Sequence, residues 1–175
     1  MMEYQNSQKA LLVIKLLFVL INFSSCKTNT NSDIVKKCDA YDCEIGKYKN
    51  NKKDGIWKKY DKKDNLTQVS SYLEGKLNGT CVSFYSNGLV YSTGNYIDDK
   101  PHGNITLYFE DGKINILDNY YKRTKEGFSY LYYSNGNLQS KWFYVAGKKD
   151  GKQYEFKENQ DTLKIENYEK GILIK

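Results

Sequence analysis

Histidine and proline are almost missing from this chain: His102 and Pro101 are the single examples of each in 175 residues. With one imidazole, no Ser-His-Asp or Cys-His arrangement can be assembled except through His102. A lone histidine in a connecting segment, here DKPHG, reads as a solvated side chain rather than a general base. Zinc is disfavoured for the same reason, because the cysteines lack a second close pair and His102 would be the sole nitrogen ligand. The glycines stand singly, with no Gly-x-Gly-x-x-Gly, so no loop is built to cradle a phosphate. A dense basic block is also missing. The net charge of +6 is dispersed, with lysines alternating with Asp, Glu and Asn, which excludes the clustered footprint that nucleic acid requires. Lysines solvated on strand edges and turns account for it. Carboxylates such as Asp98-Asp99 and Glu110-Asp111 fall at turns, where Asp is a conformational choice. The chain reads as non-enzymatic, with no cofactor and no metal.

Tyrosine is what the chain has in quantity, 17 residues against few alanines. Aromatic side chains fit a pleated, half-buried surface, so this balance points to strands. The N-terminus differs from the rest. Lys9 and Lys15 precede the apolar run LLFVLINF, Leu16 to Phe23, which is too short to span a bilayer and has the layout of a secretory signal. Ser24, Ser25 and Cys26 follow, an order that resembles the lipobox of bacterial lipoproteins. The resemblance implies that residues 1–25 are a signal peptide removed before Cys26, and that the Cys26 sulfur carries a diacylglyceryl thioether. That lipid would anchor the chain to a membrane of the cell envelope, on a periplasmic or outer-membrane face. Plain secretion, a retained anchor and a cytoplasmic location are the alternatives. Residues 26–47, rich in Asn, Thr and Lys, read as a polar tether. Within it Cys38 and Cys43, in KKCDAYDC, are close enough for a local disulfide in an exported chain. Cys81 is left over and falls in a strand.

Residues 48–175 keep a ruler. Gly55, Gly79, Gly103, Gly127 and Gly151 are 24 apart, and so are Tyr48, Tyr72, Tyr96, Tyr120, Tyr144 and Tyr168. A third series, Tyr60, Phe84, Tyr108, Tyr132 and Phe156, is aromatic at every step. A fourth runs Leu66, Val90, Ile114, Leu138 and ends in Thr162. Between them recur Asn87-Gly88, Asp111-Gly112 and Asn135-Gly136, degraded to Lys63-Asp64 in the first unit and Asn159-Gln160 in the last. A fixed period with no insertion is the mark of a repeat architecture. Each unit reads as a hairpin: NITLYF (104–109) goes out, Asp111-Gly112 makes a type I′ turn, and Lys113 to Tyr121 returns. Lys122 to Glu126 reads as a polar connection, and Gly127 opens the next unit at a backbone position a side chain would obstruct. Two strands per unit over five units predicts about ten strands. Strand parity puts Val82, Thr106, Tyr130 and Tyr154 on the face of the third series, and puts Leu66 with Tyr72 and Ile114 with Tyr120 on one side. The expectation is one face aromatic throughout and the other patchy.

The units GTCVSFYSNGLVYSTGNYIDDKPHG (79–103) and GFSYLYYSNGNLQSKWFYVAGKKDG (127–151) resemble the MORN repeat, in the variant found in bacterial YwqK-type proteins. The resemblance covers residues 48–175. It implies an all-β fold: an elongated, open, single-layer antiparallel sheet of tandem 24-residue β-hairpin repeats. Bacterial members carry an antitoxin label, so the resemblance also raises an antitoxin or immunity protein that neutralises a toxin. A lipobox sits poorly with a partner met in the cytoplasm. The reading adopted is therefore an envelope lipoprotein working as a repeat-built binding module, with a protein partner or a cell-wall glycan. The aromatics Tyr60, Phe84, Tyr108, Tyr132, Phe156, Tyr72, Tyr96, Tyr120 and Tyr144 form its candidate binding face. An open array has two unpaired edges, so the chain is expected as a monomer or a dimer paired through Ile172-Leu173-Ile174.

Overall fold

The computed structural model describes residues 34–174. The signal segment, Cys26 and the first part of the tether lie outside these described residues. The rest is all β. The strands are β1 (Ile34–Cys38), β2 (Asp42–Lys49), β3 (Lys52–Asp61), β4 (Leu66–Leu73), β5 (Lys76–Phe84), β6 (Val90–Ile97), β7 (Lys100–Tyr108) and β8 (Ile114–Tyr121). They continue as β9 (Thr124–Lys125), β10 (Gly127–Tyr132), β11 (Leu138–Val145), β12 (Lys148–Lys149), β13 (Gly151–Phe156), β14 (Thr162–Glu169) and β15 (Ile172–Ile174). All belong to one open antiparallel sheet in which chain order is spatial order.

The strands exceed the expected ten for identifiable reasons. The expected tether, residues 26–47, is strand over much of its second half: β1 and β2 form a hairpin that joins the sheet at β3. At the other end β15 adds a short strand along β14. The pieces β9 and β12 pair only backward, to β8 and β11, and lead into β10 and β13.

The two kinds of turn exchange the roles expected of them. The tight turn lies between units, where both central residues take positive φ: 49° and 63° at Asp98-Asp99, 47° and 78° at Lys122-Arg123, 48° and 79° at Ala146-Gly147. That is the type I′ pattern, whose twist matches the flanking strands. Strand pairing therefore resumes at Thr124, inside the segment expected to be a connection. At Asn87-Gly88 only Gly88 is left-handed, at 83°. The Gly88 N–H donates to the Tyr85 carbonyl at 2.9 Å and the Tyr85 N–H to the Leu89 carbonyl at 2.8 Å. This is a type I turn closed by a left-handed residue, the other common hairpin loop. Asn87 contributes its side chain, accepting the Leu89 N–H at 2.9 Å, as Asp111 accepts that of Lys113 at 3.0 Å.

Gly127 and Gly151 begin β10 and β13, but the other three boundary glycines are not at strand starts. Gly55, Gly79 and Gly103 lie inside β3, β5 and β7, in bulges where the strand has more residues than the one before it. All five take positive φ, from 67° to 104°. A β-carbon on Gly55, Gly103 or Gly151 would meet nothing within 4 Å. The requirement is backbone conformation, which glycine adopts freely, and not the obstruction expected.

Paired residues share a face, and faces alternate along a strand. Trp57 pairs with Ser70, Ser70 with Cys81 and Cys81 with Gly94. Gly94 pairs with Ile105 and Ile105 with Asp118, continuing one line of side chains across the sheet. We call this side the Trp57 face and the opposite side the Phe84 face. The core lies along that line: Trp57, Ser70, Cys81, Asp118, Ser129, Ser140 and Gln153 are all buried. Small residues predominate there, sunk between larger neighbours.

Candidate interaction faces

The two aromatic series occupy opposite faces, which corrects the expectation of one aromatic face. Tyr72 pairs with Gly55 and Tyr96 with Gly79, placing the tyrosine series on the Trp57 face. Tyr60 pairs with Leu66, Phe84 with Val90 and Tyr108 with Ile114, on the Phe84 face. Parity misleads because the register slips beside each loop. In the first unit Lys59 pairs with Gln68 but Tyr60 with Leu66. Such a bulge moves the aliphatic residue to the other side of the sheet from its tyrosine.

The Trp57 face largely satisfies itself, although the buried indole N–H of Trp142 has no hydrogen-bond partner among the described residues. Tyr48 and Tyr72 meet the Trp57 ring edge-on, at centroid distances of 4.9 and 6.5 Å. Lys53 lies across this group, its Nζ 4.5 Å from the Trp57 centroid, 5.0 Å from that of Tyr72 and 2.7 Å from Glu44. Lys125 repeats the arrangement, 2.9 Å from Asp118 and 5.3 Å from the Tyr144 centroid. Lys149 stands 5.2 and 5.3 Å from the rings of Trp142 and Tyr168. Lys59 and Lys164 pair at 2.7 Å with Asp42 and Glu166. Asp118, the buried carboxylate of this face, accepts hydrogen bonds from Ser129 and, at 3.4 Å, from the Tyr120 hydroxyl. Burial pushes the phenols of Tyr72, Tyr96, Tyr120 and Tyr144 above the usual tyrosine value. Lys53, Lys125 and Lys149 lie on the 24-residue ruler, with Leu77 and Pro101 at the two positions between, a partial signal that reading the aromatics alone passes over.

The Phe84 face is less complete. Tyr60, Phe84, Tyr108, Tyr132 and Phe156 are half-buried, the first four paired with Leu66, Val90, Ile114 and Leu138 and the last with Thr162. Tyr154 and Phe156 stack at 6.2 Å, and Phe128 meets Phe143 at 4.9 Å. Adjacent units are tied at the loops: the Tyr85 hydroxyl donates to the Tyr108 carbonyl at 2.6 Å, and Tyr133 to that of Phe156 at 2.8 Å. Toward the tight turns, however, Leu73, Ile97, Tyr121 and Val145 are 56, 48, 54 and 44% exposed. They too are 24 apart. Ile97 and Tyr121 border a hollow of about 190 Å³ with Lys100, His102 and Lys122. His102 therefore lies against an aromatic ring, 5.5 Å from that of Tyr121.

Cys38 and Cys43 are joined in a disulfide across the β1–β2 hairpin. Cys81 is a buried free thiol that accepts a hydrogen bond from Gln68 at 3.0 Å.

No protein-family model matches this chain, and no curated protein matches it. Among solved structures it is similar to the crystal structure of TarM, at 15% identity and a TM-score of 0.37, over 77% of this chain and 23% of that one. It is also similar to a mutant of TarM from S. aureus in complex with Fondaparinux, alpha-GlcNAc-glycerol and UDP, at 15% identity and a TM-score of 0.38, over 78% of this chain and 23% of that one. The chain thus spans about a quarter of the length of these structures.

Proposed function

We propose that this chain is a non-enzymatic binding module of the bacterial cell envelope, lipid-anchored at Cys26, whose MORN-like hairpin repeats engage a protein partner. The observation that carries the binding half is the 24-residue series of exposed apolar side chains on one face of a sheet that has no second layer among the described residues. Contiguous exposed apolar surface marks interaction sites. The Cys38–Cys43 disulfide supports export, because such bonds persist in oxidising compartments.

Fractionation of cells expressing the full chain, wild type and Cys26→Ser, tests the anchoring half. Wild-type protein in the membrane fraction and soluble Cys26→Ser protein are the expected results. An unprocessed wild-type chain in the cytosol overturns the reading and favours an antitoxin meeting its toxin there.

A further inference from the structure

We infer that the Phe84 face is the docking surface of this module, and that the partner it fits is a protein surface of acidic residues interspersed with apolar anchors. The inference rests on the binding-module reading and adds which face is used and what chemistry it selects.

The two faces differ in what they leave unpartnered. On the Trp57 face Lys53, Lys59, Lys125 and Lys149 are half-buried, held by carboxylates or aromatic rings. On the Phe84 face Lys52, Lys58, Lys76, Lys100, Lys148 and Lys152 are exposed. Of these only Lys76 forms an ion pair, 3.4 Å from Asp98 in a turn, while Lys52 and Lys58 border hollows shared with Asp54. Acids on this face are fewer, and two are already engaged. Glu126 accepts the Ala146 N–H at 2.8 Å, and Asp150 accepts that of Lys170 at 3.0 Å. The exposed apolar series follows the same division, since Leu73, Ile97, Tyr121 and Val145 all stand on the Phe84 face. An apolar row flanked by an excess of positive charge is complementary to apolar residues flanked by negative charge.

The charge also decides among occupants. A second copy would set lysine against lysine across the interface, which like-charge repulsion disfavours. A bilayer is a poorer fit than a protein. Membrane binding of this kind sinks an apolar surface about 5–10 Å below the headgroups, whereas these apolar residues sit on strands, with Lys76, Lys100 and Lys148 directly across from Leu73, Ile97 and Val145. The hollow between Ile97 and Tyr121 accepts a side chain. Successive anchors are two strands apart, about 10 Å, so the row of four runs about 29 Å. That length is in keeping with a specific interface of roughly 800 Å² per partner.

The test uses the full chain carrying Cys26→Ser, with two fluorescent 12-residue peptides as probes, one alternating Glu with Phe and the other Lys with Phe. Binding is read by anisotropy, and each variant's melting is checked against the parent. The Glu–Phe peptide binds at least tenfold more tightly than the Lys–Phe peptide and weakens as salt is raised. Ile97→Ser with Val145→Ser costs at least tenfold, Lys76→Glu with Lys100→Glu inverts the peptide preference, and Lys149→Gln on the Trp57 face changes little. If Lys149→Gln costs as much as the Phe84-face changes, the face is wrong while the binding-module reading survives. If neither peptide binds, but vesicles of phosphatidylcholine and phosphatidylglycerol bind and lose binding with the Ile97 and Val145 changes, the occupant is a membrane and the protein partner is overturned.

Discussion

The indole of Trp57 lies over the bare α-carbon of Gly46. A β-carbon at Gly46 would come within 2.3 Å of the Trp57 ring, and both residues are buried. The pair shows how a single-layer sheet makes a core. With no second layer among the described residues to cover it, a large side chain is buried by lying across the backbone of the neighbouring strand. Gly46→Ala forces the indole outward and costs about 1–3 kcal/mol as overpacking. Thermal unfolding measures it, and rescue by Trp57→Leu in the same chain confirms the cause. A Gly46→Ala chain that melts like the parent excludes this account.

Asp118 and Lys125 occupy the positions that Ser70 and Leu77 hold 48 residues earlier. The sheet therefore solves one problem in two ways, by a half-buried ion pair or by a neutral pair. Lys125→Leu alone strands the buried Asp118 carboxylate and costs about 2 kcal/mol or more, since Lys125 is partly solvated. Adding Asp118→Ser, which recreates the Ser70 and Leu77 combination, recovers most of the loss. Denaturant titration of the two variants decides it: a double variant no more stable than Lys125→Leu would falsify the equivalence of the two solutions.

Gln160 holds a left-handed backbone, φ 70°, at the loop position where Gly88, Gly112 and Gly136 stand in other units. A side chain there costs about 1 kcal/mol relative to glycine, less the entropy glycine loses on folding. Gln160→Gly is expected to raise stability by several tenths of a kcal/mol, and Gly112→Ala to lower it by about 1 kcal/mol. Melting curves with both shifts of the same sign would reject the conformational explanation.

The Cys38–Cys43 disulfide closes a short loop, and its loss costs about 2 kcal/mol in the chain-entropy picture. In a repeat array each unit touches only its neighbours, so the loss is confined to the edge. Amide exchange after reduction accelerates in β1 and β2 and stays unchanged from β5 onward. Uniform acceleration along the chain contradicts this.

Stability also falls in alkali. Burial raises the folded-state pKa of Tyr72, Tyr96, Tyr120 and Tyr144, so the neutral phenols are favoured in the sheet. Their contribution is complete below the unfolded value of about 10 and is lost as pH rises through the folded values. Tyrosinate absorbance and circular dichroism, followed together, show part of the tyrosine signal titrating late and with loss of sheet. Titration of all phenols at the ordinary value with the sheet intact rules it out.

What the sequence determined by itself is the architecture. The recurrence of Gly103, Tyr108, Asp111-Gly112 and Tyr120 at one period means that every unit meets the same neighbours, and an antiparallel sheet in chain order follows from that recurrence. What only the tertiary structure decided is the side of the sheet each residue serves. The slip between Lys59 and Tyr60 is set by loop hydrogen bonds and moves Leu66 away from Tyr72, because a single extra residue reverses side-chain direction. Whether a lysine is free is decided the same way. Lys53 and Lys100 look alike in sequence, yet Lys53 lies half-buried against Trp57, Tyr72 and Glu44 while Lys100 is exposed. That difference depends on which strand each faces, and strand pairing assigns it only once the whole sheet has formed.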